Sequence, residues 1–416
     1  MRKANLDRQG KKAERRMRRK GRTTTTVELF AGIGGFRLAA DRLGLKTVWA
    51  NDIDPKACGV YRTRFGTQEI VEGDINILLD RIPPHGLLTA GFPCQPFSSA
   101  GKKEGIRDPR GTLFEAIVEV LRAREPGRFV LENVKRLLSM EKGSHFATIL
   151  DALAGLSYRI EWRLLNATEF GLPQNRQRVF IIGVHERELH SSARTREVAP
   201  IRLASEEDLL RASHNHHDLF LSSRGWKPIA KHLNRWPSWG MAQSGKFCGA
   251  ELETFSMGRR AGSLEGVLQS DVPSSFDFTD STRSRLHRSR AVNRFVQGVE
   301  ILSNQGGGAR MGYTVFGVKG VAPALTATPS RHYERYFVNG RFRRLTNVEY
   351  ARLQGFPEKH CSSVSVYDQY ALYGNAVPPP MAEWVLKALL SERVVHMPKP
   401  AQGALDLYEP TNEGFA

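Results

Sequence analysis

Two short segments of this chain could do chemistry together: Gly91-Phe92-Pro93-Cys94-Gln95-Pro96-Phe97-Ser98 and Phe129-Val130-Leu131-Glu132-Asn133-Val134. The first follows the apolar run Leu87-Leu88-Thr89-Ala90, so Cys94 is held on a proline-rich turn at the end of an expected buried strand. Open α/β sheets place their chemistry at such strand ends. The second segment delivers a carboxylate at the carboxyl end of another strand, on the same edge. A thiol and an acid facing one pocket make a nucleophile and its partner. A third segment, Gln174-Asn175-Arg176-Gln177-Arg178, leads into Val179-Phe180-Ile181-Ile182. Arg176 and Arg178 stand two apart at a strand entry, and a period of two places them on one face. Two guanidiniums there suit anionic groups or a carbonyl oxygen.

A ligand site accompanies these groups. Val27-Glu28-Leu29-Phe30-Ala31-Gly32-Ile33-Gly34-Gly35-Phe36 reads as a strand, a glycine turn and a helix start. The glycines admit a ligand close to the backbone and let helix and strand pack tightly. About twenty residues on, Trp49-Ala50-Asn51-Asp52 ends the next strand with an acid that can take both hydroxyls of a ribose. NAD, FAD and S-adenosylmethionine all satisfy this pair. No Lys-Ser/Thr follows the glycines, so the turn is not a P-loop. Asp74, in Gly73-Asp74-Ile75, could accept a hydrogen bond from an adenine amine.

Elements must carry these residues. From Thr23 to about Gly183, short apolar runs (Thr25–Phe30, Thr47–Ala50, Leu87–Ala90, Arg128–Leu131, Val179–Val184) alternate with helical stretches (Phe36–Leu43, Thr112–Ala123, His145–Leu156). That rhythm predicts an α/β fold with a parallel, doubly wound sheet. Residues from about 187 to 325 lose the rhythm and are rich in Ser, Arg, Gly and His, which predicts a separate loop-rich module. Regular pattern returns at Arg343–Phe356, and Pro380–Leu390 is expected to pack back onto the first domain.

Composition bounds the function class. The chain of 416 residues has a formal net charge of +18, and half of that excess lies in residues 1–22, expected to be a disordered basic tail. A basic body points to a nucleic-acid partner. The four cysteines (Cys58, Cys94, Cys248 and Cys361) show no Cys-x-x-Cys spacing, so neither a zinc ribbon nor a disulfide framework is indicated. A reducing, intracellular setting is expected. His214, His216 and His217 lack accompanying ligands at finger spacing, so no metal is expected. No apolar run approaches the roughly 20 residues of a membrane span, and no signal-type segment opens the chain.

Taken in order, these segments resemble the motif series of the DNA cytosine-5 methyltransferases. Arg344-Leu345-Thr346-Asn347-Val348-Glu349-Tyr350-Ala351-Arg352-Leu353-Gln354-Gly355-Phe356-Pro357 is similar to that family's ninth motif, and Tyr373-Gly374-Asn375-Ala376-Val377-Pro378 to its tenth. The resemblance covers roughly residues 25–186 and 341–390. It implies a Rossmann-like catalytic domain, residues 23–186 plus 366–395, with a smaller loop-rich target-recognition domain, residues 187–365. It implies methyl transfer from S-adenosylmethionine to C5 of a cytosine flipped from double-stranded DNA.

By motif position, Cys94 is the nucleophile, Glu132 the acid that engages N3, and Arg178, with Arg176 beside it, the support for the base and for Glu132. Phe30, Ala31, Gly32, Ile33 and Gly34 form the cofactor turn. Asp52 holds the ribose with Ile53 packing nearby, and Asp74, with Ile75, takes the adenine amine. Pro93, Asn375 and Ala376 close the pocket. The basic stretch Ser98–Leu113, with Gly101, Gly105 and Gly111 as flexible points, corresponds to a loop that closes over the flipped base. Arg310, Arg331 and Arg335 are candidates for DNA contacts. Where the family often has Thr, this chain has Ala324, so a hydroxyl contact to phosphate is lost or comes from Thr326.

The reading expects a monomer, a cytoplasmic bacterial protein associated with the nucleoid, and a restriction–modification or solitary role. A tRNA cytosine-5 methyltransferase shares the Pro-Cys and Glu-Asn motifs and is the main alternative. The long basic module favours duplex DNA over it. A silent fold acting as a DNA-binding regulator would have shown a broken Pro-Cys or Glu-Asn-Val, and both are intact. An NAD-linked oxidoreductase leaves Cys94 and the Gln-Asn-Arg-Gln-Arg segment without a role.

Overall fold

Apolar strands with alternate side chains directed to opposite faces build the centre of this protein. The structure is a computed structural model that describes residues 24–93, 113–190, 201–205, 208, 223–224, 235–243, 246–252, 262–306, 313–326 and 334–391. Strands β1 (Thr25–Leu29), β2 (Lys46–Asp52), β3 (Ile70–Glu72), β4 (Leu87–Gly91) and β5 (Arg128–Val134) pair in parallel in the order β3-β2-β1-β4-β5. From β1 the chain steps outward to β3 and then returns across β1 to β4. A crevice therefore opens between the carboxyl ends of β1 and β4, the place where such sheets bind ligands.

Both faces of the sheet are covered. Val27, Leu29, Leu88, Ala90, Phe129 and Leu131 face a core with two helices, Leu113–Arg124 and Ser144–Ala154, whereas Leu87 and Val130, one residue out of step, face another core. Before those helices in the chain come α1 (Gly35–Arg42), α2 (Pro55–Phe65) and α3 (Ile75–Leu78). Helix α4 spans Leu113–Arg124 and α5 spans Ser144–Ala154. The second core is shared by α1, through Phe36, Ala39 and Ala40, and by the C-terminal helix Pro379–Leu390, through Met381, Val385, Leu386 and Leu389. The expected return of that helix onto the first domain is thus observed, and the doubly wound α/β class holds.

Beyond β5 the sheet turns antiparallel. Strand β6 (Tyr158–Asn166) is followed by the two-residue β7 (Gln174–Asn175) and by β8 (Gln177–His185), which pairs with both β5 and β6. After α6 (Glu186–His190), the sheet continues through β9 (Ser223–Arg224), β10 (Trp239–Gln243) and β11 (Lys246–Ala250), in the order β6-β10-β11-β9. This corrects one expectation. Residues 239–250 fall within the module expected at 187–365, yet their backbone hydrogen bonds complete the edge of the large sheet.

The module is also less loop-rich than its composition predicts. After α7 (Asp280–His287), β12 (Arg290–Val296), β13 (Val299–Asn304) and β14 (Thr314–Phe316) lead past the two-residue β15 (Ala322–Pro323) to β16 (Arg335–Val338) and β17 (Arg341–Arg343). All of these except β15 form a five-stranded sheet in the order β12-β13-β14-β16-β17. Its core continues into α8 (Asn347–Gln354) and α9 (Val366–Asn375), and reaches Ile33, Ala57 and Val60 of the first domain. Helix α8 starts at a capping box in which Thr346 and Glu349 satisfy each other's backbone amides. The C-terminal helix Pro379–Leu390 is α10.

Candidate active site

The turn after β1 has an unusual backbone. Phe30, Gly32 and Gly34 have φ of 53°, 54° and 82°. A side chain at Gly32 would meet nothing within 4 Å, whereas one at Gly34 would strike the Phe65 ring and one at Gly35 the Val377 carbonyl. The turn is therefore packed on its outer side and open on its inner side. Two backbone amides fix it to β2: Ala31 N donates to Asn51 O at 2.8 Å and Gly32 N to Asp52 Oδ2 at 2.7 Å. Burial raises the Asp52 carboxyl above the usual range, against the pull of the amides that bind it.

A cavity of about 400 Å³ opens from this turn. Phe30, Ala31, Gly32, Ile33, Asp52 and Ile53 line it from β1 and β2, and Pro93 lines it from the end of β4. Asn375 and Ala376 line it from the C-terminal segment, and Glu132, Arg176 and Arg178 close its far wall. Three residues expected here are not among its lining. Gly34 faces Phe65 instead. Asp74 caps α3, its Oδ1 accepting from Asn76 N at 2.9 Å and from Asn76 Nδ2 at 3.0 Å. Ile75 is buried in the core.

Glu132 is 7% exposed and lies near the carboxyl end of β5, beside Gly91 of β4. Arg178 Nε lies 3.0 Å from its Oε1. Its Oε2 points toward Gly91, where a Cβ would come within 3.6 Å. Burial raises the Glu132 carboxyl above the ordinary range, and the attraction of Arg178 and Arg176 offsets that only in part. The next residue, Asn133, donates from Nδ2 to Phe92 O at 2.9 Å. It thereby fixes the backbone two residues before Cys94. Cys94 and the basic stretch after it lie outside the described residues, as do Arg310, Arg331 and the histidines near 215.

The two arginines share the cavity but divide the work. Arg178 serves the carboxylate, and Arg176 serves backbone. The buried Arg176 guanidinium donates to Leu325 O at 3.2 Å, Gly374 O at 2.8 Å and Ala376 O at 3.0 Å. It clamps the C-terminal wall of the cavity onto the sheet while still lining the cavity. Gln174 extends the clamp: its amide donates to Leu353 O at 3.1 Å and accepts from Leu325 N at 3.0 Å. Asn133 and Gln174 lie within segments the sequence singles out, yet their roles depend on partners far along the chain. Glu28 was also missed. It lines the cavity at the root of the turn, is fully buried, and receives the Tyr61 hydroxyl at 3.2 Å. Burial pushes its carboxyl up to about 8.

Comparison with known proteins gives the family. A family model described as C-5 cytosine-specific DNA methylase matches residues 24–391. The type II methyltransferase M.DsaV of Dactylococcopsis salina is 31% identical over 366 residues, which is 88% of this chain and 85% of that protein. The chain belongs to the C-5 cytosine-specific DNA methylases. M.NgoBI of Neisseria gonorrhoeae and M.HaeII of Haemophilus aegyptius, also type II methyltransferases, are 46% and 48% identical over 159 residues. Those matches cover 38% of this chain and about half the length of each relative, 50% and 49%. The S. pombe Dnmt2 methyltransferase superposes with a TM-score of 0.57 at 18% identity, covering 88% of this chain and 98% of that one. Entamoeba histolytica EhMeth does so with a TM-score of 0.56 at 14% identity, covering 88% and 98%. These two likenesses concern the fold.

The cavity at the glycine turn has a neighbour. A second cavity, of about 720 Å³, lies between the five-stranded sheet and the Gln-Asn-Arg-Gln-Arg segment. Its lining includes Asn175, Arg290, Arg294, Gln297, Pro323 and Ala324. Asn175 Nδ2 donates to Gln297 Oε1 at 3.1 Å, across the gap. Gln297 and Gly298, with φ of 49° and 80°, form the tight turn of the β12–β13 hairpin. Next to that turn Phe295 is 58% exposed. The candidate Arg335 is instead mostly buried, and the Thr326 hydroxyl donates to Glu334 at 3.3 Å.

Proposed function

We propose that this chain is an S-adenosylmethionine-dependent DNA (cytosine-5)-methyltransferase that acts on a cytosine turned out of duplex DNA, in a type II modification system or as a solitary enzyme. The observation that carries the proposal is the Glu132–Arg178 pair at the carboxyl end of β5. It faces the same cavity as the glycine turn, and Pro93 brings the chain to the lip of that cavity one residue before Cys94.

The cavity suits the cofactor. Its volume is that of a small-molecule site, the cradle over Gly32 is open, and the Asp52 carboxylate ends β2 as a ribose partner would. Phe30, Ala31, Gly32, Ile33, Asp52, Ile53, Pro93, Asn375 and Ala376 would hold the cofactor. S-adenosylmethionine, when bound, supplies an electrophilic methyl group.

The chain's own residues make cytosine receptive. The Cys94 thiolate adds to C6, and the ring electrons move to C5, which is otherwise a poor nucleophile. Glu132, whose protonated form burial favours, donates from Oε2 to N3 and so takes up the charge that moves into the ring. Arg178 holds Oε1 and keeps the acid in register. Once C5 carries the methyl group that S-adenosylmethionine would supply, with S-adenosylhomocysteine as the leaving group, loss of the C5 proton to a base expels Cys94 and restores the aromatic ring. A flipped base requires a few kcal/mol of unstacking. The hairpin β12–β13, with Arg290, Arg294 and the exposed Phe295, would contribute that energy and read the site.

Three measurements test the reading. Labelled methyl transfer should enter duplex DNA and not tRNA, and bisulfite sequencing of DNA from expressing cells should reveal one modified sequence. Cys94→Ala should abolish turnover. Transfer into tRNA alone, or survival of a tenth of the activity in the alanine variant, would end the proposal.

A further inference from the structure

The glycine turn is held from a place that the sequence gives no reason to suspect. Ile33 and His360 are 327 residues apart, yet His360 Nε2 lies 2.7 Å from the Ile33 carbonyl oxygen. His360 is 1% exposed, and its ring packs between those of Phe356, at 4.8 Å, and Phe65, at 5.9 Å. Burial pushes its pKa down to about 4, so the ring is neutral near neutral pH. A neutral imidazole has one N–H, and the carbonyl acceptor fixes it on Nε2. Nδ1 has no partner among the described residues.

Ile33 has a reason to need this partner. Gly34 is the N-cap of α1, so the Ile33 carbonyl lies outside the helical ladder. The turn around it has three left-handed residues within five, one of them Phe30. Backbone of that kind persists only where its surroundings over-determine it. The amides of Ala31, Gly32 and Gly34 are fixed to Asn51, Asp52 and Ala31. His360 adds a restraint on the opposite side, from the segment that follows α8.

We propose that His360 is a positioning residue for the cofactor: its imidazole N–H holds the Ile33 carbonyl and keeps the glycine turn in the course that shapes the cavity. The proposal rests on reading that cavity as the S-adenosylmethionine site. The segment also ties the turn to the smaller module, because Arg352 of α8 donates to Val267 O at 2.9 Å and Leu268 O at 3.2 Å.

The test compares His360→Gln, His360→Asn and His360→Ala in the full chain. Glutamine reaches the Nε2 position with an amide N–H, whereas asparagine reaches only the Nδ1 position. Titration calorimetry with S-adenosylmethionine and S-adenosylhomocysteine is expected to show the glutamine variant within about three-fold of wild type. The asparagine and alanine variants should bind both ligands roughly ten-fold more weakly, equivalent to about 1.4 kcal/mol. The cofactor KM should rise while kcat at saturating cofactor holds, and duplex DNA affinity without cofactor should stay unchanged. Equal cofactor affinities for the glutamine and asparagine variants would overturn the proposal, and this pair decides even where alanine prevents folding. A wild-type chain that binds DNA but neither ligand would instead refute the cofactor reading on which it rests.

Discussion

Glu132 and Glu28 are both buried acids on the cavity wall, and their partners give them different consequences. Glu132 meets Arg178 on one oxygen and leaves the other toward Gly91. Its raised pKa keeps it protonated to higher pH than a free glutamate, so activity should fall on the alkaline side as that proton is lost. Glu132→Gln is expected to lower kcat by about 10² to 10⁴, and to remove that alkaline limb from the kcat/KM profile. An unchanged limb would assign it to another group.

Glu28 has no such outlet. Its pKa of about 8 in the folded chain lies above the 4.5 of a free glutamate. Its contribution to stability is therefore fully present below about pH 4.5 and is lost as pH rises toward 8. By pH 7 the loss is on the order of 3 kcal/mol at 1.36 kcal/mol per unit. Thermal melts at pH 5 and pH 8 should differ less for Glu28→Gln than for wild type. The glycine turn, Asp52 and Glu132 were legible because their chemistry lies at strand ends. Glu28, Asn133 and His360 were not, because each acts through a partner brought near only by folding.

Among the elements, β1, β2, β4 and β5 were legible because most of their residues are buried and each holds an apolar run, whereas β3 has three residues of which only Ile70 is buried. Strand β6 escaped notice because its sequence alternates Arg159, Glu161 and Arg163 with apolar residues. All three charges are nevertheless buried, and Glu161 accepts from Trp239 Nε1 at 2.9 Å and from Leu203 N at 2.7 Å. The five-stranded sheet was missed for another reason: β14, β16 and β17 have three or four residues each, too few for a period to show. Its β12–β13 hairpin carries the clearest prediction at this scale. Arg290 and Arg294 line the second cavity, and β12 is exposed along nearly its whole length. If both touch phosphate, replacing both with alanine should reduce the slope of log affinity against log salt by about 2. Affinity for S-adenosylmethionine should not change, since neither arginine lines the cavity at the glycine turn. A slope that stays constant would remove the hairpin from the DNA path.

At the scale of the molecule, the site depends on both ends of the described chain. Helix α10 completes the core over α1, Arg176 fastens residues 374 and 376 to the sheet, and Ile33 shares a core with α8 and α9. Contacts that span so much sequence leave little for a part of the chain to fold around alone. The large sheet and the five-stranded sheet should therefore unfold as one unit, although their backbones form separate sheets. If S-adenosylmethionine binds as proposed, it offers a direct check, because a ligand of the native state stabilises whatever unfolds together with its site. At one hundred times its Kd it should add about 2.7 kcal/mol. Calorimetry should then show a single endotherm that moves upward as a whole. Two endotherms, of which only one responds, would mean that the hairpin-bearing sheet melts independently, and that the clamp at Arg176 and the contact at His360 do not transmit stability between the two sheets.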